Sequence, residues 1–309
     1  MRQRILILIM FAALAGLRGS RISFAQPYLV NGDKLRVITK SAQLFEVTNG
    51  INEFDIHYVG GNYHLFYCTS GGAMGDVWHR SAATIAGLSS ASDDDLPAGT
   101  VPSVYYDSGA GTWHMWLGQG SGNSPDHYTA SDPGGTWTLQ DSAMPSDAGD
   151  PDVLGLIDST YYAVVTTHGT WVSRILTASD LGGPWTDLGD VFSSQGREDW
   201  HAAGEADPDL VYVNSKLYML FAGRHTDSDT AGGHRHVISV VEINPSTGKA
   251  VGSPQFVWSA AENWERDGGY PNTFSPRYLD DGDKRIFYSH FSNFSEGEDG
   301  WGYLDVEWV

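Results

Sequence analysis

A single cysteine, Cys68, occurs in 309 residues, so no internal disulfide can form. Its place just after an apolar run makes it a buried thiol rather than a nucleophile. Positive charge is scarce as well. Lys and Arg number 18 against 38 Asp and Glu, a formal net charge of −20, and such a surface repels phosphate backbones, which excludes nucleic acid as a natural partner. Beyond Leu14 no apolar run is long enough to span a bilayer, and there is no low-complexity segment.

The one strongly apolar stretch lies at the start. Arg2 and Arg4 precede Ile5 to Leu14, and Ser23-Phe24-Ala25 has the small-x-small form of a cleavage site, which predicts a signal peptide over residues 1–25. Its removal takes away four arginines and no acid, so the formal charge moves from −20 to −24. The expected product is a secreted or periplasmic protein that does not stay in the membrane.

Ala130-Ser131-Asp132-Pro133-Gly134-Gly135-Thr136-Trp137-Thr138 returns 48 residues later as Ala178-Ser179-Asp180-Leu181-Gly182-Gly183-Pro184-Trp185-Thr186. Aromatic-rich apolar runs recur too, at Tyr63–Tyr67, Trp113–Leu117, Tyr161–Val165, Leu217–Phe221 and Arg285–Ser289, in steps of 50, 48, 56 and 68. A period near fifty residues, filled by short β-rich runs and Gly, Asn and Ser turns, describes one supersecondary unit repeated radially. The reading is an all-β, five-bladed propeller with four antiparallel strands per blade, forming one domain over residues 26–309. Leu35 to Val47 precedes the first blade, and it is expected to complete the last blade by supplying its outer strand, since ring closure removes exposed sheet edges.

In a propeller the starts of the innermost strands converge on the axis, and acids stand there in three blades. Blade one has Glu53 and Asp55, blade three has Asp150-Pro151-Asp152, and blade four has Glu205-Ala206-Asp207-Pro208-Asp209. Blade two has Val101-Pro102-Ser103-Val104, and blade five has Ser275-Pro276-Arg277. Asp-Pro is also an ordinary turn signal, and each acid taken singly reads as structural. Acids at one blade position in three repeats suggest a shared pocket, in which crowding pushes their pKa values apart and leaves one as an acid and another as a base. Glycosidic cleavage requires such a pair, and aromatic side chains suit the flat faces of sugar rings. Trp137 and Trp185 in the repeated turn read as packing residues. Trp200, near Glu205, is the candidate for substrate stacking, and His201 and Arg277 are further substrate-binding candidates.

On the blade period, the Ser179-to-Trp185 turn and the Asp-Pro strand starts, the chain resembles the five-bladed propeller glycosidases, namely the arabinanase/xylosidase class of glycoside hydrolase family 43 and its β-fructosidase relatives. That resemblance covers nearly the whole mature chain. It implies an exported enzyme cleaving glycosidic bonds of oligo- or polysaccharides, with a base in blade one, a tuning aspartate in blade three and an acid in blade four. Carried over by blade position these are Asp55, Asp150 and Glu205. The blade-one motif is usually Asp-Pro, whereas here it is Glu53-Phe54-Asp55, so Glu53 competes with Asp55. Blade four carries an extra residue, so Asp207 competes with Glu205, and Asp152 and Asp209 also stay open. The resemblance implies inversion for the arabinanase/xylosidase class and retention for the fructosidase relatives.

It requires no cofactor or metal for the chemistry, although a structural calcium is possible. Asp93-Asp94-Asp95 and Glu296-Gly297-Glu298-Asp299 read as solvated loops, and His225, His234 and His236 lack a zinc-ligand spacing. Gly118 to Gly122 precedes no helix, and His168-Gly169-Thr170-Trp171 forms no nucleophile elbow. A glycoside phosphorylase would need a phosphate pocket, for which Arg277 and Arg224 are the obvious contributors. The alternative from another class is a non-catalytic carbohydrate-binding or scaffold propeller.

Overall fold

The computed structural model describes residues 33–45, 51, 53–68, 75–119, 123–140, 144–167, 169–192, 197–225, 236–259, 266–267, 270–271, 273–290 and 300–309. The expected signal peptide, His168, His234, Gly120 to Gly122 and the acidic cluster Glu296 to Asp299 lie outside these residues. Among the described residues no helix is long and apolar enough to cross a membrane.

Five sheets of four antiparallel strands follow one another along the chain. Blade one comprises Phe54–Val59, Asn62–Cys68, Val77–Ala82 and Asp94–Asp95, and blade two Thr100–Asp107, Thr112–Gly118, Asp126–Ala130 and Thr138–Gln140. Blade three comprises Ala148–Ile157, Thr160–Thr167, Val172–Ala178 and Thr186–Asp190, and blade four Gly204–Val213, Lys216–Arg224, His236–Ile243 and Ala250–Trp258. Blade five takes Thr273–Asp280, Lys284–His290 and Gly300–Trp308 from the end of the chain and Leu35–Lys40 from its beginning.

The first and second strands of each blade are joined where the backbone can turn back on itself. Asp158-Ser159 and Asn214-Ser215 both adopt left-handed φ, as do Gly60-Gly61, which is the two-residue hairpin geometry that matches strand twist. The repeated Asp-x-Gly-Gly turn joins the third strand to the fourth. Asp132 Oδ1 accepts from the Gly134 amide at 3.1 Å, and Asp180 Oδ1 from the Gly182 amide at 2.8 Å. Each turn delivers its tryptophan to the neighbouring blade: Trp137 meets Phe66 of blade one edge-on at 6.3 Å, and Trp185 joins the cluster between blades two and three.

Apolar side chains gather into one cluster at each of the five blade interfaces. Phe66, Val104, Met115 and Leu117 fill the first; Trp116, Val153, Ala163 and Leu176 the second; Val164, Leu210, Met219 and Phe221 the third. Leu220, Val240, Ile286 and Leu304 fill the fourth, and Phe54, Leu65, Phe287 and Trp301 the fifth. Burial on both faces explains why the second strands read as continuous apolar runs rather than alternating ones.

Closure of the ring is chemical as well as topological. Leu35 lies opposite Trp308 and Lys40 opposite Leu304 in the last sheet. From blade four, Gln255 Oε1 accepts the amides of Lys34 and Leu35 at 3.0 and 3.1 Å, while its Nε2 donates to the Leu35 carbonyl at 2.7 Å. The expected outer-strand role of the segment after Leu35 is met over Leu35–Lys40.

Blades one and two each carry a histidine pair at the same position on their second and third strands. His64 Nδ1 lies 3.1 Å from His79 Nε2, and His114 Nδ1 lies 3.0 Å from His127 Nε2. One nitrogen of each pair must donate and the other accept, so a doubly charged pair would lose its bond. Burial, reinforced by the partner imidazole, pushes His64 and His127 down to about 4.

Leu35 is wholly buried in the seam between blades four and five, so Leu35→Ala is expected to lower unfolding free energy by about 2–5 kcal/mol in urea titration. The histidines bind protons in the unfolded chain from about pH 6.5 downwards but in the folded chain only near 4. Their stabilisation is therefore whole above 6.5 and lost as pH falls from there through 4. The variant carrying His64→Gln and His127→Gln should show a smaller fall in thermal midpoint between pH 7 and 4 than the parent chain.

Candidate active site

Each inner strand after the first begins with a break in its ladder. The register with the second strand shifts between Thr100 and Ser103, Gly149 and Asp152, Ala206 and Asp209, and Phe274 and Arg277. Proline occupies each break, where its missing N–H costs no ladder bond. The residue before each proline has left-handed φ: Val101 47°, Asp150 38°, Asp207 45° and Ser275 48°. These are β-bulges, and they re-aim the side chains on either side of the proline. Blade one pairs without a break from Phe54 to Val59, with Glu53 immediately ahead.

The bulges sort the axial residues into two layers. The deeper one consists of Asp55, Ser103, Asp152, Asp209 and Arg277, two positions beyond each bulge residue and beyond Glu53. Here the polar atoms tie one blade to the next. Asp55 Oδ2 accepts the Val104 amide at 2.6 Å, Ser103 Oγ the Val153 amide at 3.1 Å, Asp152 Oδ2 the Leu210 amide at 2.8 Å and Asp209 Oδ2 the Tyr278 amide at 2.9 Å. Arg277, fully buried, ends the series, and its Nη1 donates to the carbonyls of Asp207, Pro208 and Pro276 at 3.0–3.3 Å. Burial pushes Asp55 up, but His57 Nε2 at 3.1 Å, the Arg277 charge and the Val104 amide outweigh it and hold this carboxyl below its ordinary range. Asp152 is pushed up to about 6, chiefly by burial, with the Asp55 charge adding and Arg277 opposing. Asp209 is pushed well up, by burial first and by Asp152 next.

The second layer sits where the inner strands begin and holds the residues at the bulge positions themselves. Asp207 of blade four feels Asp150 of blade three and Glu53 of blade one, so three acids far apart in sequence converge at the axis. Burial and these two neighbours push the Asp207 carboxyl well above its usual range, with Arg277 and the Ser275 amide opposing. Arg224, at the end of the second strand of blade four, also faces Asp207 and Asp150; burial brings its guanidinium down to about 10, so it stays charged at neutral pH. The guanidinium lies 3.7 Å over the ring of Trp171, from the hairpin of blade three. Trp171 in turn packs against Ala206, Ala222 and Phe274.

The sequence-predicted residues divide between these surroundings. Asp150 lies in the acid cluster with Glu53 and Asp207. Asp55 lies one layer deeper, in the tie between blades one and two, and Arg277 is the counter-charge of that layer. Glu205 lies at a blade interface. Wholly buried, it accepts Arg197 Nε on Oε1 at 2.9 Å, and Arg197 Nη2 and the Ser173 amide on Oε2, both at 3.2 Å. His201 Nδ1 stands 3.6 Å from Glu205, and its Nε2 accepts the Glu198 amide at 2.7 Å. Trp200 packs with His201 at 4.6 Å, parallel to Phe221 at 6.2 Å and edge-on to Phe256 at 6.2 Å.

The pairing of Trp171 with Arg224 has no spacing signal in the sequence, because it joins the hairpin after the second strand of blade three to the end of the second strand of blade four. Its only linear signal is that both residues lie at the chain level where inner strands start. Among the described residues no group of three His, Cys, Asp or Glu side chains is disposed to hold a metal. Asp93 is bound by Arg80 and Tyr67, and Asp94 by His79.

No protein-family model matches the sequence, and no curated protein does so either. Solved structures do. A GH62 α-L-arabinofuranosidase catalytic domain from Coprinopsis cinerea superposes with a TM-score of 0.63 at 16% identity, covering 86% of this chain and 96% of that one. The α-L-arabinofuranosidase of Podospora anserina, in complex with cellotriose, gives 0.62 at 13% identity over 87% and 96%. An exo-β-1,3-galactanase from Phanerochaete chrysosporium gives 0.61 at 15% identity over 87% and 64%. The chain has the fold of the five-bladed propeller glycosidases. Its structural neighbours are glycoside hydrolases, and at this identity the likeness is one of fold.

Arg277 is the buried guanidinium that faces all three carboxyls of this layer, with His57 beside Asp55 as its other cationic partner. Arg277→Met is expected to lose about 3–5 kcal/mol of stability at pH 7, the cost of stranding buried charge. Since the freed carboxyls would be held protonated in the fold, the deficit against the parent chain should narrow as pH falls from 7 to 4, which urea unfolding at the two values would measure.

Proposed function

We propose that the chain is a glycoside hydrolase whose acid–base pair is Asp207 and Glu53, with Asp150 holding the proton on Asp207. The observation that carries this reading is the convergence of three acids from blades one, three and four in one layer, with Asp207 kept protonated by burial and by its two neighbours. A carboxyl that retains its proton near neutral pH can donate it to a leaving glycosidic oxygen. Glu53 comes from a different blade and supplies the second carboxyl that hydrolysis requires, as base toward water or as nucleophile toward the anomeric carbon. Trp171 offers an apolar ring beside these acids and Arg224 a fixed set of donors, a combination suited to a sugar's flat face and hydroxyl rim.

Asp55 and Glu205 take structural parts in this reading. Both sit where backbone amides and charged partners occupy their oxygens, which suits holding blades in register better than exchanging protons with a substrate. The signal peptide expected over residues 1–25 supports a reaction outside the cytosol, on glycosides met there. Arabinofuranosides and β-1,3-galactosides are the first substrates to try, because the fold neighbours are named for them.

The test is a panel of aryl glycosides and polysaccharides assayed with the parent chain and with Glu53→Gln, Asp150→Asn and Asp207→Asn. Each variant is expected to lose about 10²–10⁴ in kcat/KM with folding intact. Asp207→Asn should lose least on dinitrophenyl glycosides, whose leaving group needs no proton. Binding without turnover by every form would instead identify a carbohydrate-binding propeller, and full activity in Asp207→Asn would remove the assignment of the acid.

A further inference from the structure

Cys68 closes the second strand of blade one, and its backbone and side chain both hold Glu53. The Cys68 amide donates to the Glu53 carbonyl at 3.0 Å, and the thiol Sγ donates to Glu53 Oε2 at 3.2 Å, the shorter of its two contacts, the Glu53 carbonyl lying 3.6 Å from the same sulfur. From the next blade, the backbone N–H of the bulge residue Val101 faces the same sulfur. A buried cysteine is ordinarily a small hydrophobe, and Cys68 does pack with Phe66, Val77 and Leu117. The bond to a carboxylate oxygen goes beyond packing. Burial, with the Glu53 charge adding to it, drives the thiol well above its ordinary range, so it remains an S–H donor at every pH at which a carboxylate works.

We propose that Cys68 is a positioning residue for Glu53: its thiol donates to Oε2, fixes the side-chain rotamer and favours the ionised carboxylate. The inference rests on the reading of Glu53 as the base of the acid cluster. A donor to the charged form lowers a carboxyl's pKa, so loss of the donor raises it. A base that ionises at higher pH moves the acid limb of the rate profile in the same direction.

Two readouts separate this inference from the reading beneath it. The first is the ¹³C titration of Glu53 in protein labelled at the glutamate carboxyls, its resonance assigned by disappearance in Glu53→Gln; this needs no substrate. The second is the pH profile of kcat/KM on whichever glycoside the chain cleaves. Cys68→Ala is expected to raise the Glu53 midpoint, and the acid limb with it, by about half a unit to one unit. Cys68→Ser, which keeps a donor in nearly the same place, should restore both, and Cys68→Val serves as the donor-free variant if the alanine form does not fold. An unchanged Glu53 midpoint in the donor-free variant overturns the proposal. Full turnover by Glu53→Gln overturns the role of Glu53 as base and with it any catalytic meaning of the contact, while the titration still reports whether Cys68 sets that carboxyl's ionisation.

Discussion

The propeller depends on a buried charge balance at its axis. Asp55, Asp152 and Asp209 each reach across to a backbone amide of the following blade, and Arg277, with His57 beside Asp55, supplies the positive charge among these three buried carboxyls. Apolar packing holds the blades together but is non-directional, and each interface cluster could tolerate some slip. A hydrogen bond from a specific carboxylate to a specific amide does not. The deep layer therefore sets the register of one blade against the next, while the five apolar clusters supply the bulk of the burial.

With register set in this way, the layer at the start of the strands becomes a place where charge is concentrated. The bulge residues need left-handed backbone, which costs free energy for a residue with a side chain, and the fold accepts that cost at four blades. At two of them the residue is an aspartate. The same alternation that turns Asp55, Asp152 and Asp209 toward backbone amides of the following blade leaves Glu53, Asp150 and Asp207 at the strand starts, where burial and its two acid neighbours raise the Asp207 carboxyl well above its usual range.

The fold was legible at the level of the repeat. Period, hairpin turns, the Asp-x-Gly-Gly-x-Trp turn and the outer strand from Leu35 all follow from local chemistry, and each local choice agrees with the others. The site was legible only as a neighbourhood. Glu53 and Asp207 stood in view as competitors of Asp55 and Glu205, but nothing linear separates residues two apart on an inner strand. In blade four the bulge at Pro208 sets which acid meets its counterparts from other blades, and a bulge is visible only in the register of paired strands. Glu205 shows the same limit: its partners Arg197 and Ser173 come from two different segments, and no spacing rule predicts that they would enclose it.

The amino-acid sequence by itself determined that this is a ring of five four-stranded blades with acids at the starts of three of them, because hairpin turns, apolar runs and repeat length are short-range properties written residue by residue. Which acids face one another and which arginine balances the axis were decided only by the tertiary structure. Those relations join residues from different blades, and the electrostatic energy of a buried group depends on distances that exist only once the ring has closed.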